Sequence, residues 1–173
     1  QAGILSWGQD LDHEHNPFQC NLGYQVSLSG KGEWAKKGDY VGKQALEKMK
    51  ADLKDGHKPY KLQLVGFEIG GKPIDEYAPD FWLVSPGDGG DPCGFITSPW
   101  YHPEKGKNIA MGYIPYDGTL NANGFPKWEL GKKYKVHLPD IYADEPGVPV
   151  DAVTVDVPFT ESFNANTREV VKG

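Results

Sequence analysis

The feature that most constrains the fold is a series of short strand-like segments that begins at Lys61. Turn sequences such as "PGDGGDP", "NANGFP" and "DEPGVP" separate these segments, and no helical period occurs between them. The segments are "KLQLVGFEI", "FWLVS", "GFITSPW", "NIAMGYI", "KYKVHL" and "VDAVTVDVPF". Short strands at this spacing are typical of all-β barrels and sandwiches. The sequence therefore predicts a mainly β fold, a small antiparallel β-barrel of jelly-roll-like form.

One helix is predicted before the barrel. Apolar residues recur at helical spacing, namely Val41, Ala45, Leu46, Met49 and Leu53. Gly42 is placed to start this helix and Gly56 to stop it, so we expect it at about 43–53. The segment ahead of it is rich in turn residues, and its one extended run is expected at Tyr24–Leu28, where apolar and polar side chains alternate.

The charge of the chain limits its partners. The 173 residues carry 18 basic and 24 acidic side chains, a net charge of −6. This charge argues against nucleic acid as a partner because phosphate binding needs clustered positive charge. No stretch approaches the roughly 20 apolar residues that span a bilayer, so no membrane partner is expected. The single arginine, Arg168, lies in the tail, so a ligand carboxylate would be held by lysine, tyrosine or backbone amides.

The cysteines point to a reducing compartment. Cys20 and Cys93 stand 73 positions apart and lack the paired spacing of a zinc site, so we expect free thiols. The sequence shows no signal peptide and no Asn-x-Ser/Thr acceptor, which favours a cytoplasmic protein. Because the chain does not begin with methionine, we expect a processed protein or a piece of a longer one.

The stretch "DLDHEH", residues 10–15, contains side chains that ligate metals. Its spacing matches neither the His-x-x-x-His of a zinc helix nor a calcium loop, so a solvated connecting loop is the favoured interpretation and no metal site is predicted. No Ser-His-Asp set can be assigned among the remaining residues, and no catalytic residue is predicted.

An aromatic cluster occurs in "TSPWYHP", residues 97–103, between two predicted strands. Trp100, Tyr101 and His102 could line a flat aromatic ligand through stacking and hydrogen bonds. The alternative is a loop that packs its rings against the end of the barrel.

Four motifs in order carry a resemblance to a known family. They are "GILSWGQDLDHEHNPFQCNLGYQVSL", "YVGKQALEKMK", "GFITSPWYHPEKGKNIAMGYI" and "VDVPF". Their order and spacing are similar to the C-terminal third of the glycine-cleavage T-protein (aminomethyltransferase) superfamily, up to about Phe159. Within it, Asn16, Pro17, Phe18 and Cys20 resemble dimethylsulfoniopropionate demethylase more closely than aminomethyltransferase itself. Other folate-dependent demethylases and the C-terminal parts of dimethylglycine and sarcosine dehydrogenases share the scaffold and remain alternatives.

The resemblance implies a tetrahydrofolate-dependent one-carbon transferase. Residues 1–58 would end the preceding folate-binding domain, 59–160 would form the C-terminal barrel domain, and 161–173 would be a tail. The implied partners are the upstream domains of the same parent chain and a small-molecule methyl or aminomethyl donor. The carboxylate that anchors the chemistry belongs to an N-terminal domain in that family, so this chain alone is expected to be inactive.

The resemblance also suggests cofactor-binding residues. Trp7 falls where the family has a tyrosine beside the folate, Thr97 and Ser98 match its Thr-Ser pair, and Pro103 and Asn108 match a later proline and asparagine. His102 stands where serine is usual, and Trp100 and Tyr101 fill variable positions. The candidates for tetrahydrofolate binding are Trp7, Ser98, Trp100, Tyr101 and His102. A non-catalytic β-barrel binding module is the rival from another class.

Overall fold

Six antiparallel strands close into a barrel in the computed structural model, which describes residues 3–28 and 39–159. The strands are β1 Leu62–Ile69, β2 Trp82–Pro86, β3 Gly94–His102, β4 Lys107–Pro115, β5 Lys133–Val136 and β6 Val150–Val155. Their order around the barrel is β1-β4-β3-β2-β5-β6, and β6 pairs back with β1. The mainly β prediction is confirmed. The expected tail at 161–173, with its arginine, lies outside the described residues.

The predicted helix is present as α1, Lys43–Lys54. Gly42 caps its start with a φ of +88°, and Gly56 follows its end with a φ of +82°, values that favour glycine. α1 has 12 residues, and no helix within 3–28 or 39–159 has the length and apolar character needed to cross a bilayer.

The extended run expected at Tyr24–Leu28 is wrong at its start, although the backbone of Val26 is extended. Gly23–Gln25 form a short 3₁₀ turn instead. The amide of Gln25 donates to the carbonyl of Leu22 at 2.9 Å, and the amide of Val26 donates to the carbonyl of Gly23 at 3.1 Å. These local hydrogen bonds take the place of the cross-strand bonds that an extended segment would need.

The interior of the barrel is filled by every second residue of its strands. Val65 and Phe67 of β1, Ile96 of β3 and Val136 of β5 are all fully buried there. Because side chains alternate between the two faces of a strand, the residues between them point outward. The interior is therefore one continuous apolar core.

The outer face of β1 and β4 is apolar as well. Leu64, Ile109, Met111 and Tyr113 form a second cluster on this face, which the segment before α1 and the ring of Phe159 cover. Seven consecutive residues of β4 are buried. This burial on both faces explains why "NIAMGYI" reads as an almost unbroken apolar run.

The apolar side of α1 packs in a third cluster. Leu53 of the helix is buried there with Phe18, Tyr60 and Tyr116, and Leu46 and Met49 pack against them.

Strand β3 runs further than the sequence predicts. The predicted strand "GFITSPW" ends at Trp100, and "TSPWYHP" was also interpreted as a loop between strands. Its residues through His102 belong to β3, and the turn falls at 103–106. The reason is pairing with β4, where Trp100 lies opposite Ile109 and His102 opposite Lys107. The loop interpretation is therefore wrong for this cluster.

A β-bulge interrupts β3 between Ile96 and Ser98 and leaves Thr97 as the extra residue. Gly112 of β4 lies opposite, where an added Cβ would be 2.5 Å from the carbonyl oxygen of Phe95. Glycine at this position therefore permits the close approach of the two backbones.

We expect Phe67→Ala to lower the free energy of unfolding by about 3–5 kcal/mol, because it removes a fully buried ring from the barrel interior. Phe81→Ala is the matched control, since the ring of Phe81 is half exposed, and should cost under about 1 kcal/mol. Urea unfolding of the two variants measures both values. Equal losses would contradict the assignment of the core to the barrel interior.

Glu68 gives the fold a dependence on pH. Lys107 Nζ lies 2.8 Å from one of its carboxylate oxygens and Lys105 Nζ lies 3.4 Å from the other. The hydrogen bond from Lys107 is the main cause of a lowered pKa for Glu68 in the folded chain. A carboxyl group with a lowered folded pKa stabilises the fold above its ordinary pKa of 4.5, and this contribution is lost as the pH falls through the folded pKa.

We therefore expect the difference in unfolding free energy between wild type and Glu68→Gln to be largest near pH 7 and to shrink below about pH 4. Glu47→Gln, at an exposed position of α1, is the control and should show no such trend. Urea unfolding between pH 3 and pH 7 measures the difference. A difference independent of pH would show that the lysines do not act on this carboxylate.

Candidate functional site

A tight turn at residues 6–11, here called the Trp7 turn, presents an indole ring at the surface. The amide of Asp10 donates to the carbonyl of Ser6 at 2.9 Å, which closes the turn. Gly8 lies within it at a φ of +85°, a conformation that favours glycine. Trp7 is 71% exposed as a result.

The carboxylate of Asp10 is buried, with 1% of the residue exposed. One of its oxygens accepts the amide of Ser6 at 2.8 Å. The other accepts the hydroxyl of Thr97 at 2.6 Å and also the hydroxyl of Ser98. A buried charge needs such donors because it has left the hydration that water supplies.

The bulge in β3 makes this arrangement possible. Consecutive residues of a regular strand point to opposite faces of the sheet. The extra residue at a bulge breaks the alternation, so the side chains of Thr97 and Ser98 both reach the same carboxylate. The Trp7 turn is thereby tied to β3.

A second contact ties the turn to β4. The hydroxyl of Tyr113 donates to the backbone carbonyl of Asp10 at 2.6 Å, and Cys20 Sγ lies 3.5 Å from the same hydroxyl. Burial raises the pKa of both Tyr113 and Cys20, so both keep their protons at neutral pH. Cys20 and Cys93 are free thiols, as expected.

Gln9 adds a bridge to the segment between β1 and β2. Its side-chain amide donates to the carbonyl of Thr97, and its side-chain oxygen accepts the hydroxyl of Tyr77 at 3.0 Å. The phenol ring of Tyr77 is thereby placed beside the Trp7 turn.

A groove of about 750 Å³ lies between the Trp7 turn and the outer face of β3 and β4. Three exposed aromatic side chains line it, Trp7, Tyr77 and Trp100. Ile109 and Met111 form part of its apolar wall. None of the described residues that line the groove is basic.

The structure brings together three of the five residues predicted to bind the cofactor. Trp7, Ser98 and Trp100 all line the groove, whereas Tyr101 and His102 are not among its lining residues. His102 is buried, and its Nδ1 accepts the amide of Lys105 at 3.4 Å. The cofactor role of all five residues stays a prediction.

The stretch "DLDHEH" contains both exposed residues and a buried one. His13 and Glu14 are exposed, as a solvated loop requires, and Asp12 accepts the amide of Glu14 at 2.8 Å. That bond, with the hydrogen bond to His15, lowers the pKa of Asp12. The solvated-loop interpretation is wrong for Asp10, which is buried. Within the described ranges, no group of three or more His, Cys, Asp or Glu side chains could hold a metal ion.

Sequence reasoning missed the link between Asp10 and Thr97 and the presence of Tyr77 at the groove. The turn at Gly8 can be predicted from "SWGQD". The contact between Asp10 and Thr97 cannot, because it depends on a β-bulge that the pairing of β3 with β4 creates. Tyr77 belongs to an irregular segment before β2 that has no periodic pattern.

The sequence of the chain is similar to part of several aminomethyltransferases. It is 31% identical over 138 residues to an aminomethyltransferase of Synechocystis sp., covering 80% of this chain and 32% of that protein. An aminomethyltransferase of Thermosynechococcus vestitus is 29% identical over 160 residues, covering 92% of this chain and 34% of that protein. The chain thus spans about a third of the length of the curated relatives it matches. No protein-family model matches it.

The fold has a solved counterpart. The crystal structure of glycine cleavage system aminomethyltransferase T from Bartonella henselae matches with a TM-score of 0.61 at 20% identity, over 92% of this chain and 36% of that one. At this identity the likeness concerns the fold alone. The sequence relatives support a place for this chain in the glycine-cleavage T-protein (aminomethyltransferase) superfamily.

Proposed function

We propose that the chain works as the C-terminal region of a larger tetrahydrofolate-dependent one-carbon transferase, and that its groove holds the flat ring of the folate. The observation that supports this most is the set of exposed rings of Trp7, Tyr77 and Trp100 around one groove. Exposed aromatic side chains that converge on a concavity are typical of sites for planar ligands.

The groove suits the pteridine ring of tetrahydrofolate better than its glutamate tail. Its volume of about 750 Å³ lies within the range of small-molecule sites, and its aromatic walls fit a pteridine ring. The glutamate tail of folate carries carboxylates, whereas the described lining residues include no basic side chain. We therefore place the tail toward the upstream domains of the parent polypeptide, which are this chain's proposed partners.

In this proposal the folate supplies N5 as the acceptor of the one-carbon group. The chain's own residues orient the ring and exclude water from it, because a methyl transfer needs its reacting atoms held in line. Ile109 and Met111 on β4 offer the apolar floor that water exclusion requires. The chain alone is expected to be inactive.

For the donor we propose a small cationic molecule of the dimethylsulfonio type, as in dimethylsulfoniopropionate demethylase. A sulfonium is attracted to the faces of aromatic rings, and Tyr77 lines the groove beside the two tryptophans proposed to stack on the folate. The second candidate is aminomethyl transfer, which the names of the curated relatives favour. A reducing compartment, the cytoplasm, suits the two free thiols in either case.

We expect Trp7→Ala and Trp100→Ala each to weaken tetrahydrofolate binding by about three- to tenfold, because each removes one ring that stacks on the ligand. Isothermal titration of the complete polypeptide that the gene encodes measures the affinity. Phe81→Ala, which removes an exposed ring outside the groove lining, is the matched control and should bind as wild type does. A polypeptide that does not bind tetrahydrofolate would refute the proposal and favour a non-catalytic binding module.

The donor is tested with the same polypeptide. Methyl transfer to tetrahydrofolate from dimethylsulfoniopropionate, and not from glycine-type donors, is the expected result. Transfer from glycine-type donors alone would assign the chain to aminomethyl transfer.

A further inference from the structure

The ring of Trp7 is held in place by its backbone rather than by its own packing. With 71% of the residue exposed, the side chain has few neighbours to fix it. Its position therefore depends on what anchors the Trp7 turn to the barrel. Two side chains of the turn reach β3: Gln9 donates to the carbonyl of Thr97, and the carboxylate of Asp10 accepts the hydroxyls of Thr97 and Ser98.

We propose that Asp10 is a positioning residue for the ligand of the groove, acting through Trp7; this rests on the function proposed above. Asp10 borders the groove, but its carboxylate is turned to the protein. Its oxygens accept the amide of Ser6 and the hydroxyls of Thr97 and Ser98, and only 1% of the residue is exposed. Asp10 thus does not touch the ligand, and the bulge of β3 sets the distance between Trp7 and Trp100.

Loss of the carboxylate should act locally. The barrel core of Phe67 and Ile96 is a separate cluster on the other side of the sheet, and Asp10 belongs to neither of the two apolar clusters of the barrel. Removal of the carboxylate leaves the Ser6 amide and the Ser98 hydroxyl without this acceptor, whereas the Thr97 hydroxyl keeps the carbonyl of Met111 at 3.1 Å. The Trp7 turn keeps its contacts through Gln9 and Tyr113 but loses the carboxylate, so we expect its motion to increase.

A double-mutant cycle separates positioning from a general effect on stability. Tetrahydrofolate affinity is measured for wild type, Asp10→Ala, Trp7→Ala and the double variant of the complete polypeptide. If Asp10 acts through Trp7, Asp10→Ala weakens binding about three- to tenfold in the wild type and less than twofold in the Trp7→Ala background. Equal losses in both backgrounds, or no loss in either, would overturn the proposal.

Two further variants test whether the effect is specific to the contact of Asp10 with β3. Asp12→Ala removes a neighbouring carboxylate that bonds to Glu14 and His15 and is not part of the groove lining, so it should bind tetrahydrofolate as wild type does. Thr97→Val removes one donor to Asp10 and should weaken binding in the same direction. If Asp10→Ala does not fold, Thr97→Val takes its place in the cycle, with the same expected dependence on Trp7.

A measurement without ligand keeps this inference distinct from the proposed function. Amide hydrogen exchange of Asp10→Ala should be at least tenfold faster at residues 6–11 and unchanged in β1 and β4. If wild type fails to bind tetrahydrofolate, the proposed function fails, and exchange still decides whether Asp10 holds the Trp7 turn. Unchanged exchange at 6–11 would refute the positioning role.

Discussion

A buried carboxylate must find donors within the protein, and in this chain that requirement joins the segment before the helix to the barrel. Asp10 takes two of its three donors from adjacent residues of β3, Thr97 and Ser98. A regular strand would present only one of those hydroxyls on that face, so the bulge and the buried acid depend on each other. Gly112 across the pair allows the backbones to approach closely enough for the bulge to form.

The barrel serves as a scaffold for a groove on its outside. Its interior is filled by apolar side chains, as in other small barrels. The outer face of β4 is apolar and mostly covered by the segment before α1, and the groove lies where this cover ends at the Trp7 turn. A chain that spans about a third of its curated relatives would in this account supply one wall of a larger site.

Local patterns in the sequence were sufficient to predict the strands, the helix and the free thiols. Alternation and turn residues mark each strand, and Gly42 and Gly56 mark the helix ends. The errors concern features set by distant partners. Tyr101 and His102 extend β3 beyond the predicted strand because β4 pairs with them, and the burial of Asp10 depends on hydroxyls 87 and 88 positions away. Trp7 and Trp100 could be predicted as candidate site residues. The bulge in β3, to which the Trp7 turn is tied, could not.

The most direct test of the account is a crystal structure of the complete polypeptide with tetrahydrofolate bound. The account predicts the pteridine ring in the groove against Trp7 and Trp100, with the Asp10 carboxylate still accepting the hydroxyls of Thr97 and Ser98 and making no contact with the ligand. A folate bound away from the groove, or one bonded directly to the Asp10 carboxylate, would contradict it.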